Sequence, residues 1–164
     1  LKQDLYDKLT AYIIENQNKF YRLAFSYVKN QDDALDVVQS AVCRALTYYE
    51  DLKNEDAVKT WFYKILLHEC FALLNARKHV VLTDERGYCE IPYEEKQYEI
   101  YDDLYAQIGR MEEETQSIIK LRFFEELELG EISQVLKMNL STVKTKLYRG
   151  LKSLRVAIEK EAGA

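Results

Sequence analysis

The sequence predicts an all-α protein of two small helical domains joined by an acidic linker. Three observations carry that expectation. Apolar residues recur at i, i+3 and i+4 through both ends of the chain, the mark of amphipathic helices. Its 164 residues are 48% hydrophobic and include one proline, a composition suited to packed helices. Between the periodic ends, from Val80 to Asp103, periodicity fails and acidic residues crowd together. The expected organisation is a helical domain over 1–79, a linker over 80–103 and a second helical domain over 104–164.

The elements follow in order. Leu5, Leu9, Tyr12 and Ile13 make one apolar stripe, and Phe20, Leu23, Ala24, Tyr27 and Val28 make the next. Asn30 ends that pattern. Asp32 or Asp33 is suited to cap the helix that follows, whose stripe reads Leu35, Val38, Val42 and Leu46. Residues Tyr49–Thr60 are polar. From Trp61 to Asn75 a helix is apolar over much of its surface through Phe62, Ile65, Leu66, Phe71, Leu73 and Leu74, with Trp61 read as core. The linker holds Gly87, Pro92 and the tyrosines Tyr88, Tyr93, Tyr98 and Tyr101, and like-charge repulsion should keep it extended. Structure resumes near Leu104, with Ile108, Met111, Ile118, Ile119, Leu121 and Phe123.

The most informative stretch is Leu129–Arg155. Leu129, Ile132, Val135 and Leu136 give a short helix one core-facing stripe. Asn139 breaks the pattern and Ser141 is a good N-cap for a second helix. There Val143, Leu147, Leu151, Leu154 and Ile158 share one face, while Lys144, Thr145, Lys146, Tyr148, Arg149 and Lys152 fill the remaining arc. No acid lies between Lys137 and Arg155. This is the pattern of a helix-turn-helix with a DNA-reading face.

Charge limits what such a face achieves alone. The formal net charge is −5. Residues 1–80 carry 11 basic and 11 acidic side chains, residues 81–110 carry 3 and 8, and residues 111–164 carry 9 and 9. The whole deficit sits in the middle. Phosphate neutralisation supplies most non-specific affinity, so the chain should bind DNA weakly without a partner. No apolar run is long enough to span a bilayer. The N-terminus lacks a signal-peptide pattern, so the cytoplasm is the expected compartment. The chain starts at Leu1 rather than methionine, which leaves room for residues before it. Cys43, Cys70 and Cys89 are widely spaced and pair with neither His68 nor His79 in a zinc-like pattern, so no metal is expected. No glycine-rich phosphate loop or nucleophile–base arrangement is present, so neither a cofactor nor an enzymatic activity is expected.

Residues 33–46, DALDVVQSAVCRAL, and Lys59–Lys78, KTWFYKILLHECFALLNARK, resemble the core domain of bacterial sigma factors. More narrowly they resemble the extracytoplasmic-function (ECF) group of the sigma-70 family, which keeps two domains and a linker. The segment RFFEELELGEISQVLKMNLSTVKTKLYRGLKSLR is similar to that group's C-terminal promoter-binding region. The resemblance covers nearly the whole chain in the right domain order.

That resemblance implies an initiation factor rather than a catalyst. It implies docking on a coiled coil of core RNA polymerase through the polar face carrying Asp33, Asp36 and Gln39, with Arg44 nearby. From composition alone that face reads as an ordinary solvated one. Contacts to the −10 element fall to Lys59, Tyr63, Lys64, His68, Asn75, Arg77 and Lys78. The loop near Asp51–Lys59 corresponds to a pocket for a base flipped from the opened non-template strand. His68 stands where the family often has asparagine, and Ala72 where it often has aspartate. Contacts to the double-stranded −35 element fall to Ser141, Thr142, Lys144, Thr145, Lys146, Arg149 and Lys152, with Arg149 and Lys152 more suited to phosphates. Lys137 and Asn139 replace the glycine and proline common in the family turn, and Ser141 replaces a common glycine. The linker would thread through the polymerase near its active centre, although composition supports a plain tether equally well. An anti-sigma protein, often membrane-anchored in this family, is the further implied partner.

Two other functions compete. A stand-alone helix-turn-helix regulator would have to hold DNA unaided, which the charge distribution disfavours. A helical adaptor without DNA binding would not need the basic arc after Ser141.

Overall fold

The structure is a computed structural model; it describes the backbone of residues 2–83 and 99–162 and the side chains of residues 2–79 and 104–160. The described residues form eight α-helices, two 3-10 turns and one π-helical turn, with no strand among them. They fall into two compact units, Leu1–Glu94 and Glu95–Ala164.

The first unit holds α1 (Lys2–Glu15), α2 (Gln17–Val28), α3 (Gln31–Thr47) and α4 (Val58–Thr83). Its core centres on Phe20, which is fully buried and lies 4.5 Å from the Phe62 ring and 5.5 Å from the Tyr63 ring. Leu9, Leu23, Ala24, Leu66 and Cys70 close around these rings. Truncating a buried phenylalanine such as Phe20 to alanine costs about 3–5 kcal/mol, so this cluster fixes how α2 and α4 meet.

Two expectations for α3 are corrected. Its cap is Asn30, whose side chain accepts the Asp33 amide at 3.0 Å, rather than Asp32 or Asp33. Lys29, in the left-handed region at φ 55°, turns the chain out of α2 just before it. The buried stripe of α3 is Ala34, Val37, Ala41 and Ala45, one position out of register with Leu35, Val38, Val42 and Leu46. Leu35 is 46% exposed. Small side chains let the α3 backbone approach α2 and α4 closely, and that close packing outweighs the burial of a larger leucine.

The polar stretch after α3 is ordered. Tyr49–Asp51 and Glu55–Ala57 are 3-10 turns, and the Asn54 side chain accepts the Asp56 amide at 3.1 Å. Leu52 is buried between them. Helix α1 faces this loop: the Tyr6 and Tyr49 rings meet edge-on at 5.2 Å, and Lys8 pairs with Glu55. The Glu55 carboxylate raises the Lys8 ammonium above its usual range.

Helix α4 begins at Val58 rather than Trp61 and runs to Thr83, into the expected linker. The second unit begins likewise earlier than expected, with α5 (Glu99–Gly109). Periodicity failed over 80–103 because short helical ends carry too few apolar positions to register. The remaining linker features, Gly87, Tyr88, Cys89, Pro92, Tyr93 and Tyr98, lie outside the described residues, as does the side chain of Tyr101.

In the second unit α6 (Glu113–Ile119) passes into a π-helical turn at Lys120–Phe124, and Glu126 at φ 59° ends it. Leu121 and Leu127 are buried across that turn, whereas Phe123 points outward at 51% exposure. Helix α7 (Leu129–Leu136) follows, its start closed by the Glu131 carboxylate accepting the Glu128 amide at 2.9 Å. Lys137, at φ 54°, ends α7, and the Met138 amide donates to the Ser133 carbonyl at 3.0 Å. A non-glycine residue in this region costs about 1 kcal/mol, so the family's common glycine is replaceable here. Helix α8 (Leu140–Ala162) begins two residues earlier than expected: Asn139, not Ser141, stands just before it, and its carbonyl accepts the Val143 amide at 3.0 Å.

Candidate nucleic-acid interface

Helix α8 buries Val143, Leu147 and Leu154, as the apolar spacing predicts, but Ile158 is 49% exposed. Gly150 is buried against α6. A Cβ there would stand 2.7 Å from Thr115 Cγ2 and 3.0 Å from Ile119 Cδ1, so glycine lets the two helices meet this closely without a shift. This contact holds the opposite side of α8 outward. Ser141, Lys144, Thr145, Arg149 and Lys152 are exposed on it, and Thr142 is half-buried. Ser141, Thr142, Thr145, Lys146 and Arg149 line one shallow groove. Lys144, Arg149 and Lys152 form no ion pair with a described residue.

Lys146 departs from this pattern. It falls at the margin between the exposed and buried arcs, and its Nζ donates to Glu112 Oε1 at 2.7 Å, with Glu114 at 3.8 Å. Only 22% of its side chain is exposed. Its pKa is raised by the Glu112 hydrogen bond, so it stays charged but engaged. Tyr148, on the arc outside the apolar stripe, is 62% exposed.

The residues of α4 divide into two faces at 100° per residue. Lys64, His68, Asn75 and Lys78 share an outward arc, on which His68, Asn75 and Lys78 are exposed. Lys59, Tyr63 and Arg77 lie on the opposite arc, toward α1–α3. Tyr63 is corrected as a DNA contact: it is 1% exposed and meets Phe20 edge-on, so its ring serves the core. Arg77 is likewise engaged within the fold. Its Nη1 donates to the Val28 carbonyl at 2.7 Å, and its Nη2 pairs with Asp33. Trp61 moves the other way. Expected in the core, it is half-exposed and falls on the outward arc with Lys64 and His68. A helical wheel of 58–78 would have found it; reading tryptophan as core by residue type concealed it.

On α3, Asp36 and Gln39 are exposed on one arc together with Ser40 and Cys43. Asp33 and Arg44 sit at its edge, held toward α4 by Arg77 and by Glu69, whose Oε1 lies 2.9 Å from Arg44 Nε. Among the described residues, no group of His, Cys, Asp and Glu could hold a metal ion, and no helix is long and apolar enough to cross a membrane.

Comparison with known proteins gives these two faces a context. Residues 13–79 match the family described as sigma-70 region 2, and residues 101–154 match sigma-70 region 4. The chain is 39% identical over 160 residues to the RNA polymerase sigma factor SigV of Bacillus subtilis, covering 98% of this chain and 96% of that protein. It is 27% identical over 150 residues to the ECF sigma factor SigX of the same organism, covering 85% and 77%. Among solved structures, the fold resembles the sigma factor RpoE of Bartonella quintana, solved with the anti-sigma factor NepR, at a TM-score of 0.72, 18% identity and 96% coverage of both chains. CnrH, solved with the cytosolic domain of CnrY, gives 0.69 and 16%, covering 93% of this chain and 88% of that one. An exposed basic arc on α8, a second outward arc on α4, both regions matched in order and a relative alike from end to end agree: the chain belongs to the ECF group of the sigma-70 family of RNA polymerase sigma factors.

Proposed function

We propose that this chain directs promoter-specific initiation by joining core RNA polymerase, gripping the −35 element with α8 and engaging the −10 element with α4. The observation that carries this reading is the outward arc of α8, whose Lys144, Arg149 and Lys152 are free of ion pairs with described residues in a unit matched to region 4. Ser141, Thr142 and Thr145, at the start of the helix, are suited to base edges in the major groove; Arg149 and Lys152, further along, are suited to phosphates. On α4 the set reduces to Lys64, His68, Asn75 and Lys78, joined by Trp61, whose ring offers a stacking surface for an unpaired base. Arg77 ties the helix to α2 and α3 from behind, and Lys59 falls on that same arc. Asp36 and Gln39 form the accessible part of the polymerase-docking face, with Asp33 and Arg44 shaping its edge.

Control by an anti-sigma protein belongs to the same proposal, supported by RpoE having been solved with one. So do three further expectations: a tether between the units that follows the polymerase interior, action in the cytoplasm, and no catalytic activity of the chain itself.

Run-off transcription with purified core polymerase and a panel of candidate promoters tests the reading. Promoter-dependent start sites that require the chain are the expected result. A chain that neither joins core polymerase nor changes the start site overturns it. Tight sequence-specific binding without polymerase would point instead to a stand-alone regulator.

A further inference from the structure

We propose that Glu112 and Glu114, at the start of α6, set the DNA affinity of the α8 face by holding Lys146 away from phosphate. Three observations meet at this point. Lys146 is one of four cations on the helix arc between Ser141 and Lys152, and the one of them that is ion-paired to described residues. Its partners come from a different helix, 34 residues earlier in the chain for Glu112, so the pairing is a product of the fold and not of local sequence. Both carboxylates remain more than half exposed, and the lysine they hold lines the same groove as Ser141, Thr142, Thr145 and Arg149.

The physical consequence is specific. A lysine reaches phosphate as a point charge on a flexible stem, and its net value depends on what it leaves behind. Lys146 would leave one carboxylate at hydrogen-bond distance and a second close by. Its mostly covered stem further limits its reach. Glu112 thereby occupies the place that a phosphate oxygen would take, and the face presents three available cations in place of four. The face is weakened toward DNA of any sequence, while the base-facing Ser141, Thr142 and Thr145 are untouched. For a protein that depends on polymerase to hold it at promoters, this restraint lowers binding to the excess of non-promoter DNA. The inference rests on α8 being the DNA-facing helix, as proposed above.

The full-length protein tests it, titrated onto a mixed-sequence duplex by fluorescence anisotropy over a range of salt concentrations. E112Q/E114Q should bind about fivefold more tightly at 0.15 M salt and steepen the slope of log K against log salt by about 0.9, the value of one added phosphate contact. Adding K146M to that pair should abolish the steepening. A double variant whose slope does not change overturns the proposal. So does a triple variant that keeps the full gain, since the carboxylates would then act by repulsion alone. Circular dichroism of each variant verifies that the helices are intact. R149A in the unaltered protein provides the separate control: a slope it leaves unchanged removes α8 as the DNA face, whatever Glu112 and Glu114 do.

Discussion

Arg77 joins the end of one helix to the start of the next, since it bonds the Val28 carbonyl of α2 and pairs with Asp33 in the first turn of α3. Hydrogen bonds to a charged group contribute about 1.5–3 kcal/mol when well buried. Both side chains here are about one-third exposed, so solvent screening reduces the figure. Arg77→Ala should lower stability by about 1–2 kcal/mol, read as a fall in urea midpoint with an unchanged m-value. An unchanged midpoint would return Arg77 to the list of DNA contacts. Sequence could not have shown this role. Arg77 and Asp33 lie 44 residues apart, Arg44 and Glu69 are on different helices, and Lys146 meets Glu112 across 34 residues. Each cation was legible as a surface residue of the right type; its partner is decided by tertiary packing. The environment of His68, Asn75 and Lys78 depends on helix phase alone, so a helical wheel of α4 separates these exposed residues from Tyr63 and Arg77, a division the family resemblance by itself did not make.

At the scale of elements, Gly150 shows how one helix fixes the aim of another. Thr115 is itself buried and branched at its β-carbon, so its methyl group cannot swing away cheaply from a new Cβ. Gly150→Ala gains about 1 kcal/mol of helix propensity, against about 1–3 kcal/mol of overpacking. The expected balance is a loss of about 1 kcal/mol, measured as a lower thermal midpoint. A stabilised variant would show that α6 and α8 separate readily, and that Glu112 is not rigidly placed beside Lys146. Helix periodicity located α7, α8 and their buried stripes, because each is amphipathic and a turn at 137–139 separates them. It misjudged α3, where alanines rather than leucines face inward. It also missed the π-helical turn at Lys120–Phe124, since a single inserted residue leaves no signal in an apolar pattern.

At the scale of the whole molecule, each unit has its own core: Leu9, Phe20 and Phe62 in the first, Ile108, Ile118, Leu121 and Ile132 in the second. The domain count was legible because apolar periodicity lapses between them; the helix ends inside the lapse were not. Charge decides what these units do together. Outside residues 81–110 the chain is neutral, and α8 offers Lys144, Arg149 and Lys152 as cations without ion pairs to described residues. Three phosphate contacts give a slope of about −2.7 for log K against log salt on duplex DNA. The full-length protein without polymerase should show that shallow dependence on a mixed-sequence duplex, and Arg149→Ala should flatten it by about 0.9. A slope of about −5 or steeper would require further cations, of the second unit or the first, to reach duplex DNA as well; if Lys78→Ala then flattened it, α4 would be a duplex-binding helix. The shallow value leaves α4 for opened strands, where stacking on a half-exposed ring such as Trp61 contributes more than phosphate neutralisation.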